Sequence, residues 1–534
     1  MRTPIVVGVA LCVWLSPMEA HAQLAVPSET GKVWVYLTDK GIDDGPPLAA
    51  ALADLRNTLN PRTLQRRALR RTDPGLVDGR DLPVAADYLS RIAQTGAAIA
   101  QQSRWLNAVS VRATPKQLAS LASLPFVNAI APVRGGRPTE CLEFTPIPTG
   151  GYSARDFYGL SSEQLTQIAV PAMHAQGFDG TGVVIGILDT GFRRDHVAFN
   201  QPGHAVNVIA EHDFINNDAN TGFDVGDPDG QYWHGSLILG CIGSYLPDTL
   251  VGGAYGAAFV LCKTEDITSE TPVEEDNYVA GLEFIEFHGG DVATSSLGYI
   301  DWYTQNDLNG LTAVTTIAVN VATANGLHCC TAAGNGGHDD NPATSTIIAP
   351  ADAFRVITCG AGRLDGSTSG FSSDGPTADG RVKPEVLARG SGTFSVNPDD
   401  PAGYGQASGT SLSTPLVCAA VACLTHAHPD WTVDQMRSAI FATASDFVAN
   451  GTTDPLFVRG FGFLNAAAAA AITSCEPDFN GDGAVNGFDI QCVEEVVNGD
   501  TTCSSLDPDL NHDGAVNGFD IETEEQMVNG APCP

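Results

Sequence analysis

Apolar and polar positions alternate early in the chain, where Lys32-Val33-Trp34-Val35-Tyr36-Leu37 predicts a strand. An Ala/Leu/Arg-rich stretch over 48–71 reads as helical. Leu106 to Val111 predicts a second strand, 115–122 a helix, and Phe126 to Ile130 a third strand, the rhythm of a small α/β module. The Gly/Pro/Thr-rich stretch 135–152 reads as a linker. From about 155 to 473 the pattern changes, and apolar runs at 183–188, 258–262, 292–296, 328–333 and 356–360 predict strands. Segments with helical period, 273–288, 312–325, 414–427 and 432–446, lie between or after them, and Thr432 with Gln435 makes a capping box for the last. Strands alternating with helices predict a parallel sheet flanked by helices, so the fold class is α/β.

The 534 residues are 43% hydrophobic and 17% charged, enough to build large cores. The apolar run Ile5 to Leu15 is too short to span a bilayer. It follows Met1-Arg2 and precedes Ala20-His21-Ala22, the layout of a secretory signal peptide over 1–22, so export is expected and no membrane span is. Cys12 belongs to that segment, and the twelve remaining cysteines permit disulfides without proving them. Cys262, Cys329 and Cys330 sit in apolar runs that suit a buried thiol as well as a bridge.

Charge divides the chain. Residues 1–140 carry a net +5 and the remainder −40 of the total −35, and no Lys or Arg follows Arg459. Such an acidic body repels phosphate backbones, so nucleic acid is not an expected partner. A basic front on an acidic body suggests two segments of one precursor that attract each other, and a surface charge that only serves solubility explains the same split.

Residues 475–534 hold an internal repeat. Asp478 to Ile490 recurs 31 residues later as Asp509 to Ile521, with eleven of thirteen positions identical. Oxygen-bearing side chains recur at loop positions 1, 3, 5, 9 and 12, and glycine at 6, which is calcium spacing. The first loop offers Asp478, Asn480, Asp482, the Ala484 carbonyl, Asn486 and Asp489; the second offers Asp509, Asn511, Asp513, the Ala515 carbonyl, Asn517 and Asp520. Two calcium sites are expected.

Four motifs in the middle segment carry chemistry. Val183 to Gly191 delivers Asp189 to the end of an apolar strand, where open α/β sheets place their sites. His234 opens a small-residue helix, and Asn335 ends a strand between glycines. Ser408-Gly-Thr-Ser-Leu-Ser-Thr-Pro415 leads into the apolar run Leu416 to Leu424. Pro415 fits a first helical turn, and Ser411 sits at the helix N-terminus, where the dipole and open N–H groups favour negative charge.

Together, Asp-Thr-Gly, His-Gly-Ser, Ala-Gly-Asn and Gly-Thr-Ser-Leu-Ser-Thr-Pro, in that order, resemble the subtilisin-like serine peptidases over about 155–473. The resemblance implies a subtilisin-like sheet and a catalytic triad of Asp189, His234 and Ser411. It also implies an oxyanion donor at Asn335, and a strand at Ser296, Leu297 and Gly298 that pairs with substrate backbone. Gly460 to Asn465 matches the family's closing motif. Ser236-Leu237-Ile238 stand where the family usually has Thr-His-Val, a change of packing and not of chemistry. Asn107 to Val111 with Leu118 to Ile130 resembles the family's inhibitory propeptide, implying self-cleavage within 131–155. The tail loops, with Asp at position 12, resemble a dockerin, which implies a cohesin-like partner on a scaffold or cell surface. Cys475, Cys492, Cys503 and Cys533 are not required by that pattern, and a calcium- and disulfide-stapled cap with no such partner explains the same residues.

The expected layout is signal peptide 1–22, propeptide 23–150, peptidase 151–473 and dockerin-like tail 474–534. The expected activity is secreted endopeptidase action on proteins or peptides. The rival is a calcium-dependent scaffold or surface-attachment protein with an inactive peptidase domain. An α/β-hydrolase esterase is disfavoured, because no Gly-x-Ser-x-Gly elbow surrounds Ser411 and the triad order differs. A His-Glu-x-x-His metalloprotease site is absent from the sequence.

Overall fold

The computed structural model describes residues 31–133, 143–147, 156–267, 274–300, 302–339, 341–472, 479–480, 485–500, 502–504, 508, 510 and 516–528. The signal peptide expected over 1–22 lies outside them.

The front module is a four-stranded antiparallel sheet in the order Ala98–Ser103, Ala108–Ala113, Gly31–Leu37, Val127–Pro132. Val33, Val35, Val109 and Val111 alternate onto one face and pack with Ile92, Leu118 and Leu121. The opposite face sends Trp34, Trp105 and Ala108 into the core of the middle segment beside Tyr278, Val279 and Leu282. The helical stretch expected over 48–71 is two helices, Pro46–Thr58 and Pro61–Arg70. Pro61 explains the break: its ring pushes Asn60 out of helical conformation, and Asn60 then caps the second helix.

The core of the middle segment is a seven-stranded parallel sheet. Its order is Val386–Arg389, Ile357–Gly362, His328–Ala332, Val292–Ser295, Val184–Asp189, Ala258–Lys263, Asn207–Asp213. All five expected strands are present, and Asn207–Asp213 and Val386–Arg389 are the two outer additions. Val184–Asp189 is an interior strand, and the chain leaves it first for the nearer edge, at Asn207–Asp213, and later for the opposite side, so a crevice opens at its C-terminal end. The expected helices 273–288 and 312–325 are Glu275–Phe287 and Val314–Ala324. The last expected helix divides into Val433–Ala442, with the Thr432–Gln435 capping box in place, and Ser445–Asn450.

Two expectations need correction. The helix read as 414–427 runs Thr410–Ala427, so Pro415 lies inside it and not in its first turn. Pro415 has no N–H to return to the carbonyl of Ser411 four residues earlier; the Ser296 hydroxyl donates to that carbonyl instead, at 2.9 Å. The stretch read as a linker contains a strand, Glu143–Ile147, which extends the antiparallel hairpin of Thr393–Val396 and Tyr404–Ser408. The helix from Thr410 is apolar and long enough to cross a membrane, but Thr410 through Thr425 are all buried and it is the core helix of this domain.

In the tail, Gly487–Val497 and Gly518–Val528 are helices packed around Phe479, Val493, Val496, Leu510 and Met527. Cys492 and Cys503 form a disulfide. Cys262, Cys329 and Cys330 are buried thiols.

Candidate active site

Asp189 is the last residue of the Val184–Asp189 strand and is fully buried. The Thr190 backbone N–H and hydroxyl both donate to its Oδ1, at 2.7 and 3.2 Å. His234 is the second residue of the Trp233–Gly243 helix, and its Nδ1 lies 2.8 Å from the same Asp189 oxygen. Gly235 has no room for a side chain, because a Cβ there would sit 2.2 Å from the Gly191 carbonyl oxygen. That close approach seats the histidine against the strand end.

Ser411 is the second residue of the core helix, which packs on the histidine helix. The Ser411 Oγ and the His234 Nε2 are both buried, and neither has a hydrogen-bond partner. Buried polar groups are normally satisfied, so two orphaned ones on the first turns of two packed helices are consistent with a place built for something else to bind. Asn335 stands across from the helix start. Its Oδ1 accepts from the Thr410 backbone N–H at 2.9 Å and hydroxyl at 3.0 Å, which turns the Nδ2 end of the amide into the donor end. Thr410 Oγ1 also accepts from the Gly334 N–H at 3.3 Å. Ser296, Leu297 and Gly298 are buried at the end of Val292–Ser295, the strand beside Val184–Asp189.

A carboxylate-held imidazole beside an unpaired hydroxyl at a helix N-terminus is able to take and return a proton while N–H donors receive a developing oxyanion. Sequence reasoning placed Ser296 on substrate backbone but missed its hydroxyl on the Ser411 carbonyl, and it missed Thr190 on Asp189 and Thr410 on Asn335. The Ser296 and Thr410 contacts reach across the fold, whereas Thr190 acts on its neighbour in the chain. Sequence reasoning also missed Lys263, whose ammonium is buried 2.7 Å from Asp213 Oδ2 and 2.7 Å from Asp227 Oδ2. Lys263 pairs in register with Asp189 on the next strand.

The fold and this constellation define a serine peptidase built on a parallel α/β sheet. The sequence matches the Subtilase family over residues 180–463, the Bacteroidota form of the peptidase S8 propeptide domain over 32–140, and the dockerin type I domain over 476–529. Subtilisin from Bacillus pumilus is 30% identical over 315 residues, 59% of this chain and 98% of that one. Subtilisin E from Bacillus subtilis is 29% identical over 352 residues, 65% of this chain and 81% of that one. Among solved structures, fervidolysin from Fervidobacterium pennivorans, a keratinolytic enzyme related to subtilisin, has a TM-score of 0.57 at 19% identity. That likeness covers 83% of this chain and 61% of fervidolysin. The chain belongs to the subtilase family: it is a subtilisin-like serine peptidase with a propeptide and a dockerin domain, consistent with a self-processing precursor.

Of the expected calcium ligands, Asn480, Asn486, Asp489, Asn517 and Asp520 are described; Asp478, Asp482, Ala484, Asp509, Asn511, Asp513 and Ala515 lie outside the described residues. Asp489 and Asp520 are fully buried. Asp489 accepts from the Asn480 and Asn486 backbone N–H groups at 3.1 and 2.8 Å, and Asp520 from that of Asn517 at 2.7 Å. Glu524 is buried with neither carboxylate oxygen hydrogen-bonded; burial, with Asp489 adding to it, pushes its pKa up to about 7. An all-oxygen donor set with an orphaned buried carboxylate fits a hard cation, and the dockerin match supports calcium.

Proposed function

We propose that the mature protein is a secreted endopeptidase that hydrolyses peptide bonds in proteins or peptides through Asp189, His234 and Ser411. The observation that carries this reading is the 2.8 Å contact between His234 Nδ1 and the buried Asp189, with the other ring nitrogen and the Ser411 hydroxyl left unpaired. Ser411 Oγ attacks the scissile carbonyl carbon while His234 Nε2 takes its proton. Asp189 fixes the tautomer and stabilises the imidazolium. The oxyanion accepts hydrogen bonds from Asn335 Nδ2 and the Ser411 N–H. The tetrahedral adduct collapses to an acyl-enzyme as His234 returns the proton to the leaving amine. Water, deprotonated by His234, then releases the acid and restores Ser411. Ser296, Leu297 and Gly298 hold substrate backbone on the acyl side.

The chain is made with a signal peptide over 1–22 and a propeptide from 23 that the peptidase removes itself. Residues 474–534 hold two calcium ions through the twelve expected ligands; bound calcium supplies charge that draws the loop oxygens together and attaches the enzyme to a cohesin-like partner outside the cell. The test is the intact mass of the chain without its signal, as wild type and as Ser411→Ala, followed over time. Loss of the basic segment from the wild type alone supports the reading. Retention by both, in folded protein, favours the inactive scaffold.

A further inference from the structure

The Glu143–Ile147 strand runs antiparallel to Tyr404–Ser408, with Glu143 opposite Ser408 and Ile147 opposite Tyr404. Ser408 precedes Ser411 by three residues, so each step back along the added strand, about 3.3 Å, leads toward the nucleophile. In chain order this strand follows the residues that match the propeptide domain, 32–140, and it lies C-terminal to any cut made before Glu143.

Phe144 has a shaped seat. Its ring meets the Trp233 indole edge-on, with centroids 5.0 Å apart and planes at 83°. Diagonally across the strand pair, the ring covers Gly405, where a Cβ would lie 2.2 Å from Phe144 Cζ. Gly405 is buried in a strand and does not have a positive φ, so its backbone gives no reason for glycine. The nearest atoms that such a Cβ would meet all belong to the added strand: the Phe144 ring and the Thr145 carbonyl, the latter at 2.9 Å. The missing side chain leaves room for an aromatic group supplied by a paired peptide. Trp233, the wall of that space, is the residue before His234.

We propose that this is a substrate subsite for the leaving side of the cleaved bond. The Tyr404–Ser408 edge takes the substrate residues that follow the scissile bond as an antiparallel strand, and the Gly405–Trp233 slot selects an aromatic side chain among them. In the precursor the chain's own Phe144 fills the slot. This rests on the peptidase reading above and adds a preference to it.

The test uses the full chain after self-processing and internally quenched peptides in which one Phe is moved through the first five positions after the cleaved bond, with Ala at the others. Rates are normalised to a peptidyl p-nitroanilide, which has no residue on that side. One position is expected to raise kcat/KM about 10-fold or more, the scale of a filled apolar pocket, and Gly405→Ala is expected to remove that preference. Equal rates at all five positions overturn the proposal, as does a preference that survives Gly405→Ala. A second arm needs no catalysis: in the Ser411→Ala precursor, amide hydrogen exchange over 404–408 is expected to quicken about 10-fold on Phe144→Ala. Unchanged exchange overturns the slot. If the wild type cleaves neither kind of substrate, the peptidase reading fails, and the exchange arm still decides the slot.

Discussion

Arg66 of the propeptide and Glu286 of the peptidase meet at 2.6 Å, and both side chains are buried at the seam between the two modules. Glu286 also accepts from Arg67 Nε at 2.9 Å, while Arg67 is held by Asp81 within the propeptide. Arg62 reaches Asp291, and Arg70 reaches the Pro429 carbonyl. The Pro61–Arg70 helix therefore lays four arginines on the peptidase. Burial, with Arg67 adding to it, pushes the Arg66 pKa down, and Glu286 and Asp291 oppose that shift.

Removing one partner of a buried ion pair strands the other charge, at a cost of about 3–5 kcal/mol. Glu286→Ala, in the Ser411→Ala background that keeps the propeptide attached, is expected to lose stability on that scale in urea unfolding. A loss below about 1 kcal/mol would show that the seam is held by the apolar contacts of Trp34 and Trp105 alone.

This seam marks the limit of what the linear pattern discloses. The charge split between front and body foretold docking, and the alternating run at 32–37 foretold the strand that docks. The arginines at 62, 66, 67 and 70 read only as helix formers, because the carboxylates they meet on the peptidase, Glu286 and Asp291, lie more than 200 residues away in the chain. The five central strands were legible as continuous apolar runs, since a parallel strand buried on both faces has no polar side. Asn207–Asp213 was not, because its edge position leaves Ile209 exposed and admits Glu211 and His212. The candidate site was legible to the extent that its motifs are local. The contacts of Thr410 with Asn335 and of Ser296 with Ser411 became visible only when distant segments met.

His328 begins a central strand and is buried, with neither ring nitrogen hydrogen-bonded. Burial drives its pKa well below the usual value, and Arg70 and Arg66 push it further. The folded state excludes a proton that the unfolded chain binds below about pH 6.5. Stability is therefore full above that pH and lost as pH falls, by up to about 1.4 kcal/mol per pH unit for this one group. His328→Gln in the Ser411→Ala chain is expected to flatten that slope between pH 6.5 and 5. Parallel urea curves for the two proteins would contradict it.

Thr410 acts on Asn335 and not on substrate. Thr410→Val keeps the backbone N–H on Asn335 Oδ1 and removes the hydroxyl contact, leaving the amide less well aimed. A loss of roughly 10-fold in kcat with KM nearly unchanged is expected, smaller than for Asn335→Ala. Removal of that donor in subtilisin, this chain's own family, costs on the order of 10²- to 10³-fold. Equal losses from the two substitutions would mean that Thr410 does more than orient.

Lys263 is buried among Asp213, Asp224 and Asp227, and those carboxylates hold its pKa up against the opposing effect of burial. The acidic loop it gathers leads directly to Tyr232 and the histidine helix. Lys263→Met leaves clustered carboxylates without their cation, and a stability loss of about 3–5 kcal/mol is expected from urea unfolding of the Ser411→Ala chain. Activity of the same substitution in the wild-type background is expected to fall with it as His234 loses its support. Full stability with lost activity would assign Lys263 to the site and not to the fold.

Calcium removal has a readout fitted to the tail's composition. No Lys or Arg follows Arg459, so trypsin has no site there, whereas Glu494, Glu495, Glu522, Glu524 and Glu525 lie on the two tail helices. Binding to the folded state alone stabilises it by about 2.7 kcal/mol when the ligand stands at 100 times its dissociation constant. Without the ion, Asp489 and Asp520 remain buried carboxylates that accept backbone N–H bonds. In the Ser411→Ala chain, a glutamate-specific protease is expected to cut within the tail helices after chelation and to spare them in millimolar calcium. The Cys492–Cys503 disulfide bridges one helix to the loop after it and does not reach Gly518–Val528, so that second helix is expected to yield first. Equal cutting with and without calcium would show that the apolar contacts around Val493 and Met527 hold the tail without the ion.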